Sequence, residues 1–321
     1  MAEISFELYN NILIQQLVGA GDSHLRLLEK LLGVEISCFG NQFKIHGDTD
    51  AIEQAQTALE LLYHKAEKNI GIGEEEVKAA ARMSSVGEQK ITEQNLEDIV
   101  LKTKKRHIYP RSATQAAYIQ EMMKNELVFG LGPAGTGKTY LAVALAVTMM
   151  LEGKIDKIIL SRPAVEAGEN LGFLPGDLKE KVDPYLRPLY DALYEMLPAE
   201  QVDKKLAIGE IEIAPLAFMR GRTLSNSFII LDEAQNTTPM QMKMFLTRLG
   251  ENSRMVVNGD LSQVDLPKGT ISGLRDALET LKGVSNISSV RFSAGDVVRH
   301  GLVAKIVKAY EEKSKKTYGD E

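Results

Sequence analysis

The residues Lys138 and Thr139 close the run Gly132-Pro133-Ala134-Gly135-Thr136-Gly137. Glycines at 132, 135 and 137 let the backbone curl until successive N–H groups point inward, a concavity that suits anions. The spelling G-x-x-x-x-G-K-T is that of a loop that cradles nucleotide phosphates. In such a loop Lys138 reaches the β- and γ-phosphates, and the Thr139 hydroxyl is placed to bind Mg2+. The stretch Gly132–Tyr140 is therefore read as the binding segment for ATP and its magnesium ion.

A second set of residues supplies what a loop alone lacks. Phe228-Ile229-Ile230-Leu231 reads as a buried strand, and Asp232-Glu233 falls at its C-terminal end, where open α/β sheets bind ligands. Asp232 is the candidate for the metal, directly or through water. Glu233 is the candidate base that orients and polarises an attacking water. The competing reading of the two acids is a helix cap. Met255–Asp260 repeats the pattern, and Gln263 beyond it is a candidate for sensing the γ-phosphate or placing the water; a plain surface turn is the alternative. Upstream, Gln115 carries an amide able to pair with the donor and acceptor of an adenine edge, which would favour ATP.

These residues need a scaffold, and the chain provides the pattern of one. Short apolar runs at Leu127–Leu131, Lys157–Ser161, Glu210–Ala214, Ser227–Leu231, Met255–Asn258 and Ile287–Phe292 are expected strands. Most are continuous rather than alternating, as for a parallel sheet covered on both faces. Helical stretches between them, including Gly176–Leu197 and Met240–Leu249, imply crossover units and a three-layer α/β domain over 108–321. The helix former-rich LAVALAVTMM directly after the loop would put phosphates at a helix N-terminus.

Composition sets outer limits. With 44% hydrophobic and 26% charged residues in 321, the chain reads as an ordinary globular protein of about two domains. A net charge of −6 excludes a uniformly basic nucleic-acid binder while leaving room for local patches. Cys38 is alone, so an intrachain disulfide is excluded, and it is read as a packing residue. No apolar run is long enough for a bilayer, and the first residues lack a secretory pattern, so a cytoplasmic protein without membrane contact is expected.

Residues 1–67 read as strand, two helices, two strands and a closing helix, an order similar to a K-homology RNA-binding module. Such modules clamp a nucleic-acid backbone with a GXXG loop. Here the loop is Gly19-Ala20-Gly21-Asp22, with an acid in place of the second glycine and His24 and Arg26 just beyond. RNA binding and protein docking both remain open for it. Residues 68–107 are read as a linker with connecting helices, ending in the basic cluster Lys102, Lys104, Lys105, Arg106 and His107, a solvated face or a nucleic-acid contact.

The ordered phrases Gln115, GPAGTGKT, LSRPAVEAGENLGFLPGD, APLAFMRGRTL, FIILDEAQNTT, VVNGDLSQVD and DVVRHGLVAKIVKAYE resemble the PhoH-like ATPases, similar to one motor lobe of superfamily 1 helicases. The resemblance runs from the region of Ile108 to Glu311 and implies ATP hydrolysis with Mg2+, possession of a single RecA-like lobe, and a link to RNA. Some relatives carry a PIN nuclease domain in front; no such acidic constellation occurs here. Two-lobed motors take an arginine from the second lobe onto the γ-phosphate, worth roughly 10³–10⁵ in rate when supplied in trans. With one lobe, that arginine comes from elsewhere in the domain or from a neighbouring subunit. The candidates are Arg220, Arg222 and Arg299, with Arg162 a contact for nucleic acid or phosphate. The resemblance implies a homo-oligomer, a ring of six, and a relation to a YbeY-type rRNA endoribonuclease. A third reading, a small-molecule kinase, fits less well, since Glu233 and Gln263 suit water activation.

Overall fold

The computed structural model describes residues 2–67, 71–84, 99–163, 178–267, 269–297 and 306, without the side chains of 178–185. The chain divides into two compact units, 1–100 with 109–116, and 101–108 with 117–321.

In the first unit, β1 (Ala2–Glu7), α1 (Asn11–Val18), α2 (Ser23–Leu32), β2 (Glu35–Phe39), β3 (Gln42–Gly47) and α3 (Thr49–Glu67) follow in the expected order. The sheet is antiparallel in the order β1-β3-β2. Asn10 opens α1, its Oδ1 accepting the Ile12 N–H at 3.0 Å, the usual answer to orphaned donors at a helix start. Between α1 and α2, Gly21 and Asp22 both take left-handed backbone (φ 58° and 61°). Asp22 thus keeps the conformation a glycine would supply there while placing a carboxylate on the loop.

The helix α4 (Glu74–Ser84) differs from its reading as a connector. Its Val77, Ala80, Ala81 and Met83 belong to the same buried cluster as Leu28, Leu59 and Leu62. An alanine-rich stripe lets α4 approach α2 and α3 closely, so it completes the first unit's core.

The second unit holds a six-stranded parallel sheet in the order β11-β6-β10-β9-β7-β8. Its strands are β6 (Leu127–Leu131), β7 (Lys157–Arg162), β8 (Ile211–Pro215), β9 (Ser227–Leu231), β10 (Arg254–Gly259) and β11 (Ile287–Arg291). All six agree with the sequence reading to within a residue or so at each end. A two-stranded hairpin, β4 (Leu101–Lys102) and β5 (His107–Ile108), was not legible in the sequence pattern. It carries the basic cluster, and two of its cations have partners: the Lys105 Nζ donates to the Tyr194 carbonyl at 2.8 Å, and Arg106 pairs with Glu195 at 3.1 Å.

Alternate residues of each strand face opposite ways. Phe129, Leu131, Ile229, Leu231, Met255 and Val257 pack on Met242 and Phe245 of α9 (Pro239–Leu246) and Leu274 of α10 (Gly273–Thr280). The intervening residues Val128, Ile158, Leu160, Phe228, Ile230 and Val256 are also buried, and α6 (Lys138–Leu151) contacts β7, β9 and β10. The remaining helices are α5 (Ala113–Lys124), α7 (Leu178–Met196) and α8 (Ala199–Ala207). Both sheet faces are covered, which is why the strands spell as unbroken apolar runs.

One close approach fixes β6 from below the loop. A Cβ on Gly130 would lie 2.4 Å from Asn258 Oδ1 and 2.9 Å from the Tyr118 hydroxyl, two groups already bonded to each other at 2.6 Å. Gly130→Ala is expected to destabilise the second unit by about 1–3 kcal/mol through overpacking. Thermal denaturation beside Gly71→Ala, whose Cβ meets nothing within 4 Å, checks it.

Candidate functional site

The site forms at the C-terminal ends of β6, β9 and β10. The loop leaves β6 at Gly132, where φ is 138° and a Cβ would strike the Phe292 carbonyl at 2.5 Å. Gly135 and Gly137 are left-handed (φ 81° and 83°), so the backbone doubles back before α6 begins at Lys138. This conformation is open to glycine and strained for other residues. Within the loop the Lys138 Nζ donates to the carbonyls of Gly132 (2.7 Å) and Pro133 (2.8 Å) and to Thr136 Oγ1 (3.3 Å). Thr136 is buried and its hydroxyl donates to the Pro133 carbonyl. Burial lowers the Lys138 pKa from the usual lysine value, opposed by the charges of Asp232, Asp260 and Glu233.

Across from the loop, the Thr139 hydroxyl donates to Asp232 Oδ1 at 2.6 Å. The Asp232 N–H donates to the Ser161 carbonyl, fastening the tip of β9 to β7. Burial pushes the Asp232 carboxyl above the usual range, while Thr139 and Arg162 pull the other way. A hydroxyl and a carboxylate in contact offer the two protein oxygens a Mg2+ ion takes beside nucleotide phosphates and water. No group of three or more His, Cys, Asp or Glu suited to a metal occurs among the described residues. The donor set therefore fits an ion that arrives with phosphate. Thr139 and Asp232 would hold such an ion, which would supply positive charge beside the phosphates.

The same burial makes a prediction. A carboxyl whose folded pKa is raised above its unfolded value costs stability once the pH exceeds the unfolded value, because the folded chain then holds the extra proton. Asp232→Asn removes that cost and keeps an oxygen for Thr139. It is expected to raise the melting temperature at neutral pH, a gain of about 0.5–2 kcal/mol, while abolishing Mg2+-dependent nucleotide turnover. Calorimetry and an activity assay on one preparation test both halves.

Glu233 sits in left-handed backbone (φ 52°, ψ 37°) at the head of a short turn. That turn swings its side chain out of line with Asp232. Its Oε1 pairs with Arg162 Nη2 at 3.0 Å and its Oε2 accepts from Gln235 Nε2 at 2.6 Å. Gln235 is buried, its Oε1 accepting the Asp260 N–H at 3.0 Å and its Nε2 also reaching the Gln263 carbonyl at 3.2 Å. Asp260 accepts from Ser262 through Oδ1 and from Gln263 Nε2 through Oδ2 at 2.7 Å. The tips of β9 and β10 are thus one hydrogen-bonded assembly. Gln235 and Arg162 as partners of Glu233 were missed in the sequence; an amide two residues past the acid was the available signal.

A cavity of about 250 Å³ is lined by Ala134, Gly135, Gly137, Lys138, Thr139, Tyr140, Asp232, Glu233, Gly259, Asp260 and Gln263. The phosphate loop, the metal-side pair, the candidate base and the candidate sensor therefore share one space. Gln115 lies in the first turn of α5, buried, with its Oε1 accepting the Arg111 N–H at 2.7 Å. Arg220 is exposed just past the turn that follows β8. Arg222 is engaged with Glu212 of β8 through both terminal nitrogens, at 2.6 and 2.7 Å, so it is committed to a partner within its own unit. Arg299 lies outside the described residues. No helix among the described residues is long and apolar enough to cross a membrane.

A parallel sheet carrying this loop after β6, with an acid at the tip of β9 one strand further along beyond β10, defines a phosphate-loop nucleotide-binding protein. The family model described as PhoH-like protein matches residues 107–311. A PhoH-like protein of Bacillus subtilis is 52% identical over 299 residues, covering 93% of this chain and 94% of that one. Protein PhoH of Escherichia coli K12 is 48% identical over 205 residues, 63% of this chain and 58% of its own. The chain belongs to the PhoH-like family. Among solved structures, a Sulfolobus solfataricus SWI2/SNF2 ATPase core bound to dsDNA aligns over 46% of this chain and 31% of its own, at 17% identity and a TM-score of 0.31, too loose to bear on function.

Proposed function

We propose that this chain is a magnesium-dependent ATPase whose turnover is coupled to RNA metabolism, in the binding, remodelling or unwinding of RNA during rRNA maturation or decay in the cytoplasm. One observation carries the hydrolytic part: Glu233 lines the cavity of the phosphate loop one residue beyond the Asp232–Thr139 contact. Water held by Glu233 would face a γ-phosphate gripped by Lys138, with Gln263 beside it. The RNA part is supported by the K-homology-like element order and by a second cavity of about 590 Å³ beside the Gly19–Asp22 loop, lined by Gln15, Gln16, Ser23 and His24 among others. ATP turnover with and without single-stranded RNA, run beside Lys138→Ala, tests the pair of claims. Stimulation that vanishes in the variant supports coupling, and no turnover under any condition refutes the ATPase.

A second reading is favoured by the carboxylate of Asp22 in that loop and by the partnering of Lys105 and Arg106 within the second unit. In it, ATP binding and hydrolysis drive docking of a protein such as a YbeY-type endoribonuclease, without helicase action. Turnover indifferent to RNA yet stimulated by such a partner selects it. In either reading the ATP site is shared between copies in a homo-oligomer, a ring of six, with Arg299 or Arg220 as the trans residue. Loss of turnover in Arg299→Ala or Arg220→Ala with ATP binding intact supports this. Full turnover by a strictly monomeric species at high dilution ends it.

A further inference from the structure

Beneath the phosphate loop lies a buried polar pair, Tyr118 of α5 and Asn258 of β10. Both are fully buried, and the tyrosine hydroxyl donates to Asn258 Oδ1 at 2.6 Å. The other end of that amide, Nδ2, meets no acceptor among the described residues. A buried donor left unmet costs stability, and two apolar side chains of the same shape would avoid the cost. Packing alone therefore gives little reason for this pair.

Its surroundings give a better one. The Tyr118 ring meets Phe292 edge-on, with 5.3 Å between centroids. Gly130, opposite Asn258 in register, has no Cβ to part the two side chains. One residue beyond Asn258, the Gly259 carbonyl accepts the Gly132 N–H at 3.1 Å, and Phe292 donates its N–H to the Leu131 carbonyl at 2.7 Å. The entry of the loop is thus fastened by backbone bonds. The segment Asp260–Asp265, by contrast, is held to its neighbours by side-chain bonds from Gln235 and Asn236. Within it, Asp260 Oδ2 accepts from Gln263 Nε2 at 2.7 Å. Asn258 stands at the root of this arm, and neither it nor Tyr118 lines the nucleotide cavity.

We infer that Tyr118 is a positioning residue for hydrolysis, bracing Asn258 so that the tip of β10 presents Gln263 to the γ-phosphate. This rests on the hydrolytic reading given above and adds two residues to it. Steady-state kinetics on the full chain with ATP and Mg2+, well below the melting temperature, test it. Tyr118→Phe keeps the ring and deletes one oxygen. It is expected to lower kcat by about 3–10-fold, the worth of one hydrogen bond, with KM little changed. Gln263→Ala is expected to lower kcat too, and adding Tyr118→Phe to it to change nothing further, the non-additivity of residues acting on one step. Ile158→Val, a core change in β7, is expected to lower the melting temperature and spare kcat. An equal fall in kcat there would show that lost stability suffices, and would overturn the inference. So would Tyr118→Phe without effect, or with the same fold effect in both backgrounds, while the hydrolytic reading stays in place. Full turnover in Gln263→Ala removes the sensor and this inference with it. Wild-type protein without any turnover refutes the hydrolytic reading itself.

Discussion

Lys138→Ala is expected to lower ATP turnover by about 10²–10³-fold, the scale seen when one charge-stabilising donor is taken from a transition state. The ammonium sits within hydrogen-bond distance of two loop carbonyls and a hydroxyl, so it shapes the empty loop as well as gripping phosphate. Arginine is not expected to rescue it, because a planar guanidinium cannot occupy a pocket built around a point charge. The lysine also titrates in a telling direction. Burial lowers its pKa in the free chain, and a bound phosphate raises it again. Between those two values, nucleotide binding takes up protons and affinity falls as the pH rises. For folding the sign is reversed: the unfolded chain holds more protons in the window between the folded and unfolded pKa, so stability rises with pH there. Binding calorimetry in alkaline buffers of different ionisation enthalpy should show the uptake in the wild type and lose it in Lys138→Ala. Equal uptake in both would assign the proton to another group.

Glu233→Gln is expected to cost about 10²–10⁴-fold in turnover with ATP binding retained, the range for loss of a positioned general base. The amide is nearly isosteric, but it exchanges a carboxylate that accepts from both Arg162 and Gln235 for a neutral group with one acceptor oxygen, so one of the two donors then faces the NH2. The side chain is 39% exposed, so the fold should be little affected. Single-turnover kinetics at saturating ATP separate the loss of chemistry from slow release. A variant within tenfold of wild type would hand the base role to Asp260 or to water alone.

Much of the scaffold could be read in the residues because buried parallel strands have no solvent face to interrupt them. Phe228-Ile229-Ile230-Leu231 needs no partner to be recognised, and the loop glycines announce themselves by spacing. The hairpin Leu101–Ile108 escaped because two-residue strands carry no period. The helix Glu74–Ser84 looked like a connector because alanine packs without advertising itself as apolar core; only the placement of Val77 and Met83 against α2 and α3 reveals its role. At the site, the identity of each chemical group was local and readable, whereas partnership was not. Arg162 reaches Glu233 only because β7 lies beside β9 in register, Ser161 against Leu231, and because residue 233 turns left-handed. Neither fact has a spelling.

The strand order has a consequence for how this chain is made. Strand β6, which ends in the phosphate loop, pairs with β10 and β11, both of which are synthesised well over a hundred residues later. Its neighbours in sequence, β7, β8 and β9, pair among themselves. On a ribosome the half-sheet β7-β8-β9 can assemble early, while buried, apolar β6 waits with one edge unpaired until β10 has emerged and the other until β11 has. Such long-range closure is slow and exposes surface prone to aggregation. ATP can therefore reach its seat only after the tip of β10 has been made, and a chain stalled before β10 would carry a full phosphate-loop motif that has not yet become a site.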